Sequence, residues 1–214
     1  MTTTAAATAV PEHAGDLPVI GHYIGGRRVT TSGPATIPVH DPATGEPSAA
    51  VPVAGRTEVE EAIAVAAEAQ RRWAEVPPHV RARTLFRFRD AIERNQDRLA
   101  RIITAEHGKT VDDAAGEVQR GLEVVEFACG IPHLLKGENS PQVARGVDSF
   151  SLRQPLGVTA GITPFNFPVM VPLWMMPVSV ACGNSFVLEP SEKDPPASLL
   201  LAELFSGSGG PRAR

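Results

Sequence analysis

The feature that most constrains the fold of this chain is an almost unbroken apolar stretch from Phe167 to Leu188, which approaches the length of about 20 residues that a membrane-spanning helix needs. Pro168, Pro172 and Pro177 break it up, Ser179, Asn184 and Ser185 add polar groups, and Gly183-Asn184 carries a helix-stop signal. The pattern therefore predicts a buried helix over Val169 to Cys182 and a buried strand over Ser185 to Leu188 rather than a membrane span. A second short apolar run, Val158 to Ile162, lies upstream across a proline-bounded loop at 164–168. Strand, helix and strand in that order make a parallel βαβ unit, and a further helix over Ala197 to Phe205 is predicted to pack on its sheet.

The chain ahead of this unit is patterned differently. Strand-like pieces around His22 to Ile24 and Thr36 to Val39, divided by the turn signals Gly25-Gly26 and Asp41-Pro42-Ala43-Thr44-Gly45, read as edge hairpins. Thr57 and Glu60 have capping-box spacing, and Val59, Ile63, Ala66 and Trp73 follow at helical spacing, predicting a helix to about Ala74. Pro77-Pro78 opens a second helical stretch with an apolar stripe of Leu85, Phe88, Ile92, Leu99, Ile102 and Ile103, ending at Gly108 and divisible at Asn95. A third begins at Thr110, runs through Leu122, Val125 and Phe127, and fades near Gly130 and Pro132. From Glu138 to Leu156 the pattern alternates, with Val147, Phe150 and Leu152 among polar residues, and predicts an extended ribbon leaving the helical body.

Composition limits the partners. With 20 basic against 24 acidic residues the formal charge is -4, which supplies no field to attract nucleic acid or an anionic membrane surface. Residues 1–18 lack a secretory apolar run or the arginines of a transit peptide and read as a flexible tail. Cys129 and Cys182 are too few for a disulfide framework, both read as small core hydrophobes, and a reducing, cytoplasmic setting is expected. The six histidines never fall at metal-ligand spacing, so no metal is expected.

Several motifs weaken on inspection. Gly108-Lys109-Thr110 has the end of a phosphate-binding loop, but Ile103 stands where that loop needs glycine and no strand precedes it. Arg81, Arg83, Arg87, Arg89, Arg94, Arg98 and Arg101 interleave with Asp90, Glu93 and Asp97, which predicts a solvated helix face. Gly207-Ser208-Gly209-Gly210 reads as a ragged end. The informative stretch is Gly161 to Pro168, because loops at the carboxyl ends of parallel strands are where open α/β sheets bind ligands. By itself its Asn166 could equally satisfy its own backbone.

Wider context bears on that alternative. Thr163-Pro164-Phe165-Asn166-Phe167-Pro168, Ala181-Cys182-Gly183-Asn184-Ser185-Phe186-Val187-Leu188 and Pro190-Ser191-Glu192-Lys193-Asp194-Pro195 resemble the first βαβ unit of the aldehyde dehydrogenase superfamily. Tyr23-Ile24-Gly25-Gly26, His40 to Glu46 and Glu106-His107-Gly108-Lys109-Thr110 are similar to its amino-terminal motifs, in the same order. Arg120 to Glu126, Gly137-Glu138-Asn139 and Arg153 to Gly157 are most similar to the coenzyme A-acylating methylmalonate-semialdehyde branch, and the match runs from about Val19 to Phe205. The resemblance implies an α/β fold with an incomplete Rossmann-like parallel sheet: helical part of an NAD-binding domain over 19–136, oligomerisation-type ribbon over 137–157, first βαβ unit over 158–205. It implies a homo-oligomer that oxidises methylmalonate or malonate semialdehyde with NAD through a cysteine thioester taken up by coenzyme A. By position Asn166 would donate to the oxyanion, Thr163 and Phe165 would line the nicotinamide side, Glu192 and Lys193 would lie near the adenosine ribose, and Arg120 would meet the substrate carboxylate, a surface salt bridge being its alternative.

Two departures qualify that expectation. Glu189 stands where the family has a lysine; it can accept from ribose hydroxyls, as acidic residues do in other dinucleotide folds, and together with Glu192 it would repel an NADP phosphate. After Phe205 the text, 206–214, leaves the family pattern, and the catalytic cysteine, general-base glutamate and glycine-rich turn are not among the 214 residues. The chain is therefore expected to be a truncated or frameshifted, inactive copy of such an enzyme. The alternatives are another NAD(P)-dependent aldehyde dehydrogenase, or a non-catalytic remnant that associates with full-length subunits through its ribbon.

Overall fold

In a computed structural model that describes residues 17–29 and 35–211, the chain opens with two antiparallel hairpins. The first pairs β1 (His22–Ile24) with β2 (Arg27–Val29) across Gly25-Gly26, both at positive φ; the second pairs β3 (Thr36–His40) with β4 (Pro47–Pro52). The second partner of each hairpin escaped the sequence pattern, because Arg27–Val29 and Pro47–Pro52 carry no period-2 apolar signal. The tail expected over 1–18 lies almost wholly outside the described residues.

Five helices build the body: α1 (Arg56–Ala74), α2 (Pro78–Arg94), α3 (Gln96–His107), α4 (Val111–Cys129) and the single-turn α5 (Ile131–Leu134). Asn95 does divide the second helical stretch, and its side chain donates to the Ala91 carbonyl at 2.8 Å. Gly108 ends α3 in the left-handed conformation, which L side chains adopt only with strain. The capping contact of α1 falls earlier than the Thr57 and Glu60 spacing suggests: Glu58 Oε2 accepts from the Gly55 amide at 2.9 Å, and Glu60 instead pairs with Arg56. The stripe of α1 is also thinner than expected, since Val59 and Ile63 remain half exposed while Ala69 and Trp73 are buried. In α4, likewise, Phe127 points outward.

The apolar stretch becomes α6 (Met170–Ala181) and β8 (Ser185–Glu189), and β8 lies parallel to β7 (Val158–Ile162), Val158 opposite Ser185 and Ile162 opposite Glu189. Pro172 and Pro177 sit inside α6 rather than ending it. Pro172 falls in the first turn, where an amide has no intrahelical acceptor, and Pro177 forgoes one backbone bond in a helix held by tertiary packing. No described helix is long and apolar enough to cross a membrane.

Among the described residues, the larger of two apolar clusters joins five of the helices. Phe88, Ile92, Leu99, Ile103, Val118, Val125, Leu173 and Leu201 are buried together, joining α2, α3, α4 and α6 to α7 (Pro195–Gly207). Phe88 meets Phe205 edge to face at 5.2 Å, a preferred aromatic geometry. The ragged end expected at Gly207 to Gly210 is corrected: α7 continues to Gly207, Ser208 Oγ donates to the Leu204 carbonyl, and Arg87 Nε donates to the Ser208 carbonyl at 2.8 Å. Arg81 is a second correction, because it is buried rather than solvated; its Nε donates to Ala181 O at 3.0 Å and its guanidinium to Val76 O at 2.7 Å, tying α1's end to α6's.

The ribbon is present but shorter than 138–156, as β5 (Asn139–Ala144) and β6 (Val147–Phe150), and every residue of both strands is exposed. Beyond it, 151–156 is not strand, although Ser151 still closes the base by donating from its amide to the Glu138 carbonyl at 2.9 Å.

Candidate active site

β7 and β8 end together. The Thr163 amide donates to the Glu189 carbonyl at 3.0 Å and its hydroxyl does so at 3.4 Å, so Thr163 is buried as a tie between strand ends rather than presented on an open surface. From this tie the loop 163–169 leaves at the carboxyl end of the sheet, the position where parallel folds place ligand chemistry. Phe165 is half exposed, with the His107 ring stacked at 6.2 Å between centroids and Lys193 Nζ 4.3 Å from its own. Phe165 and Lys193, distant in sequence, are thus brought together, and Glu189 at the end of β8 and Glu192 on the connection to α7 stand exposed.

Asn166 is exposed, and its side chain has no hydrogen-bond partner among the described residues; its backbone carbonyl accepts from Lys109 Nζ at 2.6 Å. The reading in which Asn166 merely satisfies its own backbone therefore finds no support. Lys109 also lies over the Phe167 ring at 4.0 Å and pairs with Glu117 at 2.5 Å. Glu117 is fully buried, and its other oxygen accepts from the amides of Val169 at 2.9 Å and Met170 at 3.2 Å. A carboxylate from α4 thus caps α6, satisfying donors that no residue of α6 can reach.

Arg120, one turn after Glu117 on α4, is exposed, with Nε 3.4 Å from Met170 Sδ and its guanidinium 6.0 Å from the Phe167 ring. No salt bridge involves it among the described residues, which leaves its fork available to an external carboxylate. Glu117, Lys109 and His107 were missed as site residues by the sequence. The one available signal was a glutamate on the buried face of α4, amid Ala114, Val118 and Gly121. The rejected phosphate-loop reading of Gly108-Lys109-Thr110 stays rejected: this is a helix–helix corner, with Gly108 ending α3 and Thr110 Oγ1 accepting from the Asp113 amide to begin α4.

Two acids next in sequence to Lys193 and His107 carry carboxylate oxygens shielded from water. Asp194 is 2% exposed and neither carboxylate oxygen meets a donor among the described residues; Glu106 Oε2 is likewise unpartnered. Burial, with repulsion from Glu117 and Glu192, pushes Asp194 up to about 7, while the charge of Lys109 tempers the shift. Burial and Asp194 push Glu106 up to about 8. Burial also raises the Cys129 thiol to about 11 and the Cys182 thiol in the same direction. Cys129 is buried as expected, whereas Cys182, at the end of α6, is only partly buried. No cluster of acids, histidines and cysteines suited to a metal occurs among the described residues.

The model described as "Aldehyde dehydrogenase family" matches residues 29–213, past Phe205. Malonate-semialdehyde dehydrogenase 2 of Geobacillus thermodenitrificans is 53% identical over 191 residues, covering 89% of this chain and 39% of the relative. Malonate-semialdehyde dehydrogenase of Pseudomonas aeruginosa is 49% identical over 191 residues, covering 89% and 38%. Among solved structures, methylmalonate-semialdehyde dehydrogenase from Oceanimonas doudoroffii superposes with a TM-score of 0.90 at 50% identity, over 92% of this chain and 40% of the other. A methylmalonate-semialdehyde dehydrogenase structure from Sinorhizobium meliloti in complex with NAD gives 0.90 at 44% identity, over 93% and 40%. The chain thus spans about two fifths of the length of the relatives it matches.

Proposed function

The chain belongs to the aldehyde dehydrogenase family, and from that premise we propose that it is the amino-terminal, cofactor-facing part of an NAD-dependent, coenzyme A-acylating malonate or methylmalonate semialdehyde dehydrogenase. The observation that carries this reading is the free side-chain amide of Asn166 at the carboxyl end of β7, on a loop whose backbone is anchored. A preorganised amide dipole stabilises a developing oxyanion without reorganising during the reaction.

The other roles follow the same rim. Phe165, backed by His107, offers an aromatic wall to a nicotinamide ring, with Thr163 setting the strand end beneath it. Glu192 and Lys193 flank the place of an adenosine ribose, and Glu189 accepts from its hydroxyls; the exposed Glu189 and Glu192 together favour NAD over NADP. NAD, when bound, supplies the hydride acceptor. Arg120 would receive the carboxylate that separates a semialdehyde acid from a simple aldehyde. Neither cysteine suits attack on the carbonyl, since burial disfavours both thiolates, so the nucleophile belongs to sequence outside these residues.

The test joins this segment to the remaining length of a relative and follows NADH with NAD, coenzyme A and malonate or methylmalonate semialdehyde. Asn166→Ala is expected to lower kcat by about 10²–10³-fold, the usual cost of losing one oxyanion donor. An unchanged kcat would remove the reading. Coenzyme A-independent turnover of simple aldehydes would favour another aldehyde dehydrogenase. A second reading, a non-catalytic chain that associates with complete subunits, has its support in the fully exposed ribbon. Co-purification with a tagged complete homologue that survives deletion of 138–156 would sink it.

A further inference from the structure

We infer that Lys109 and Glu117 form a positioning pair that sets the Asn166 amide, a role that rests on the reading of Asn166 as oxyanion donor. The Asn166 side chain makes no hydrogen bond among the described residues, so the position of its amide is set only through its backbone. That backbone is gripped by a single charge pair. Lys109 Nζ holds the Asn166 carbonyl at 2.6 Å, and Glu117 Oε1 holds the amides of Val169 and Met170 at 2.9 and 3.2 Å.

The pair is itself rigid. Glu117 is fully buried on α4, and Lys109 leaves the corner where Gly108 ends α3 and Thr110 begins α4. A buried carboxylate without its cation is costly, so the two act together. Lys109 Nζ also lies over the ring of Phe167, 4.0 Å from its centroid, within the gripped segment. The loop is therefore fixed to the start of α6 by electrostatics, while its Asn166 side chain stays free to meet a substrate. Small errors in the placement of such a group cost rate out of proportion to stability.

The test has two arms. In the 214-residue chain, hydrogen exchange at the Val169 and Met170 amides is compared for wild type, Lys109→Met, Lys109→Arg and Glu117→Gln, with thermal melting as control. Lys109→Met is expected to lower the melting temperature, because Glu117 is left buried without its cation, and to speed exchange at Val169 and Met170 at least about tenfold more than at core amides of α3, with Lys109→Arg restoring most of both. Should Glu117→Gln fail to fold, the lysine variants still decide; unchanged exchange in Lys109→Met overturns the inference. In the joined full-length chain, Lys109→Met is expected to lower kcat about 10–100-fold with KM changed less than about threefold, and to lower it no further in an Asn166→Ala background. Additive losses mean the pair acts on stability alone and overturn the inference. If Asn166→Ala leaves kcat unchanged, the functional reading fails, and the exchange arm still decides whether the pair holds the loop.

Discussion

Two carboxyl groups, the buried Asp194 and the partly buried Glu106, make the stability of this chain depend on pH. Asp194 and Glu106 have folded-state pKa values of about 7 and about 8, above their ordinary values of 3.8 and 4.5. The folded state therefore binds protons more tightly than the unfolded chain, and their contribution to stability is complete below the ordinary carboxyl range and is lost as pH rises through 7 and 8. Melting temperature is expected to fall between about pH 5 and pH 8, and Asp194→Asn to flatten that fall. A wild-type profile that rises over this window would count against the orphaned carboxyls. The thiols give a companion test. Cys129 is 7% exposed with its pKa raised to about 11, so it should react with a disulfide reagent at pH 8 far more slowly in the folded chain than in denaturant. Equal rates would mean that the site opens freely.

At the scale of elements, the contact that places the candidate site is α4 against α6. It is close because Gly121 carries no side chain: an added Cβ would lie 2.7 Å from Leu173 Cδ1 and 3.4 Å from the Met170 backbone. Gly121→Val should cost about 1–3 kcal/mol by overpacking and lower the melting temperature. It should also push α6, and with it residues 166–170, away from Arg120 and Glu117; a variant of unchanged stability would show that the helices can separate freely. Arg81 acts at another junction, where desolvation lowers its pKa and three carbonyls, of Ala74, Val76 and Ala181, take its donors. Arg81→Met should destabilise the chain by leaving buried carbonyls unmet, about 1–3 kcal/mol for each that water cannot reach. Little change in urea midpoint would mean water replaces the guanidinium.

For the molecule as a whole, the two-stranded parallel sheet is only partly covered in the described structure. Ile162 is 79% exposed and Val158 37%, and both β7 and β8 have a free edge. Parallel sheets ordinarily lie buried on both faces, and uncovered apolar surface favours association. The 214-residue chain alone is therefore expected to self-associate on concentration and to produce no NADH from semialdehyde, NAD and coenzyme A. Light scattering should fall in Ile162→Glu with little change in melting temperature. A monodisperse wild type, or an enzyme-dependent NADH signal from the chain alone, would contradict this.

The elements that punctuation and periodicity announce were legible in the sequence. The βαβ unit, the break at Asn95 and the helix stop at Gly108 follow from local patterns. Local chemistry decides such features, because a cap, a turn or an apolar stripe involves residues a few positions apart. The site was legible only in part. Asn166 stood out by resemblance, but what holds it did not, since Lys109 and Glu117 reach it across 57 and roughly 50 positions of chain. Proline in α6, buried Arg81 and the packed end at Ser208 escaped for the same reason. Each is a polar or strained choice whose cost is offset by a partner that only the packing of distant helices brings within reach.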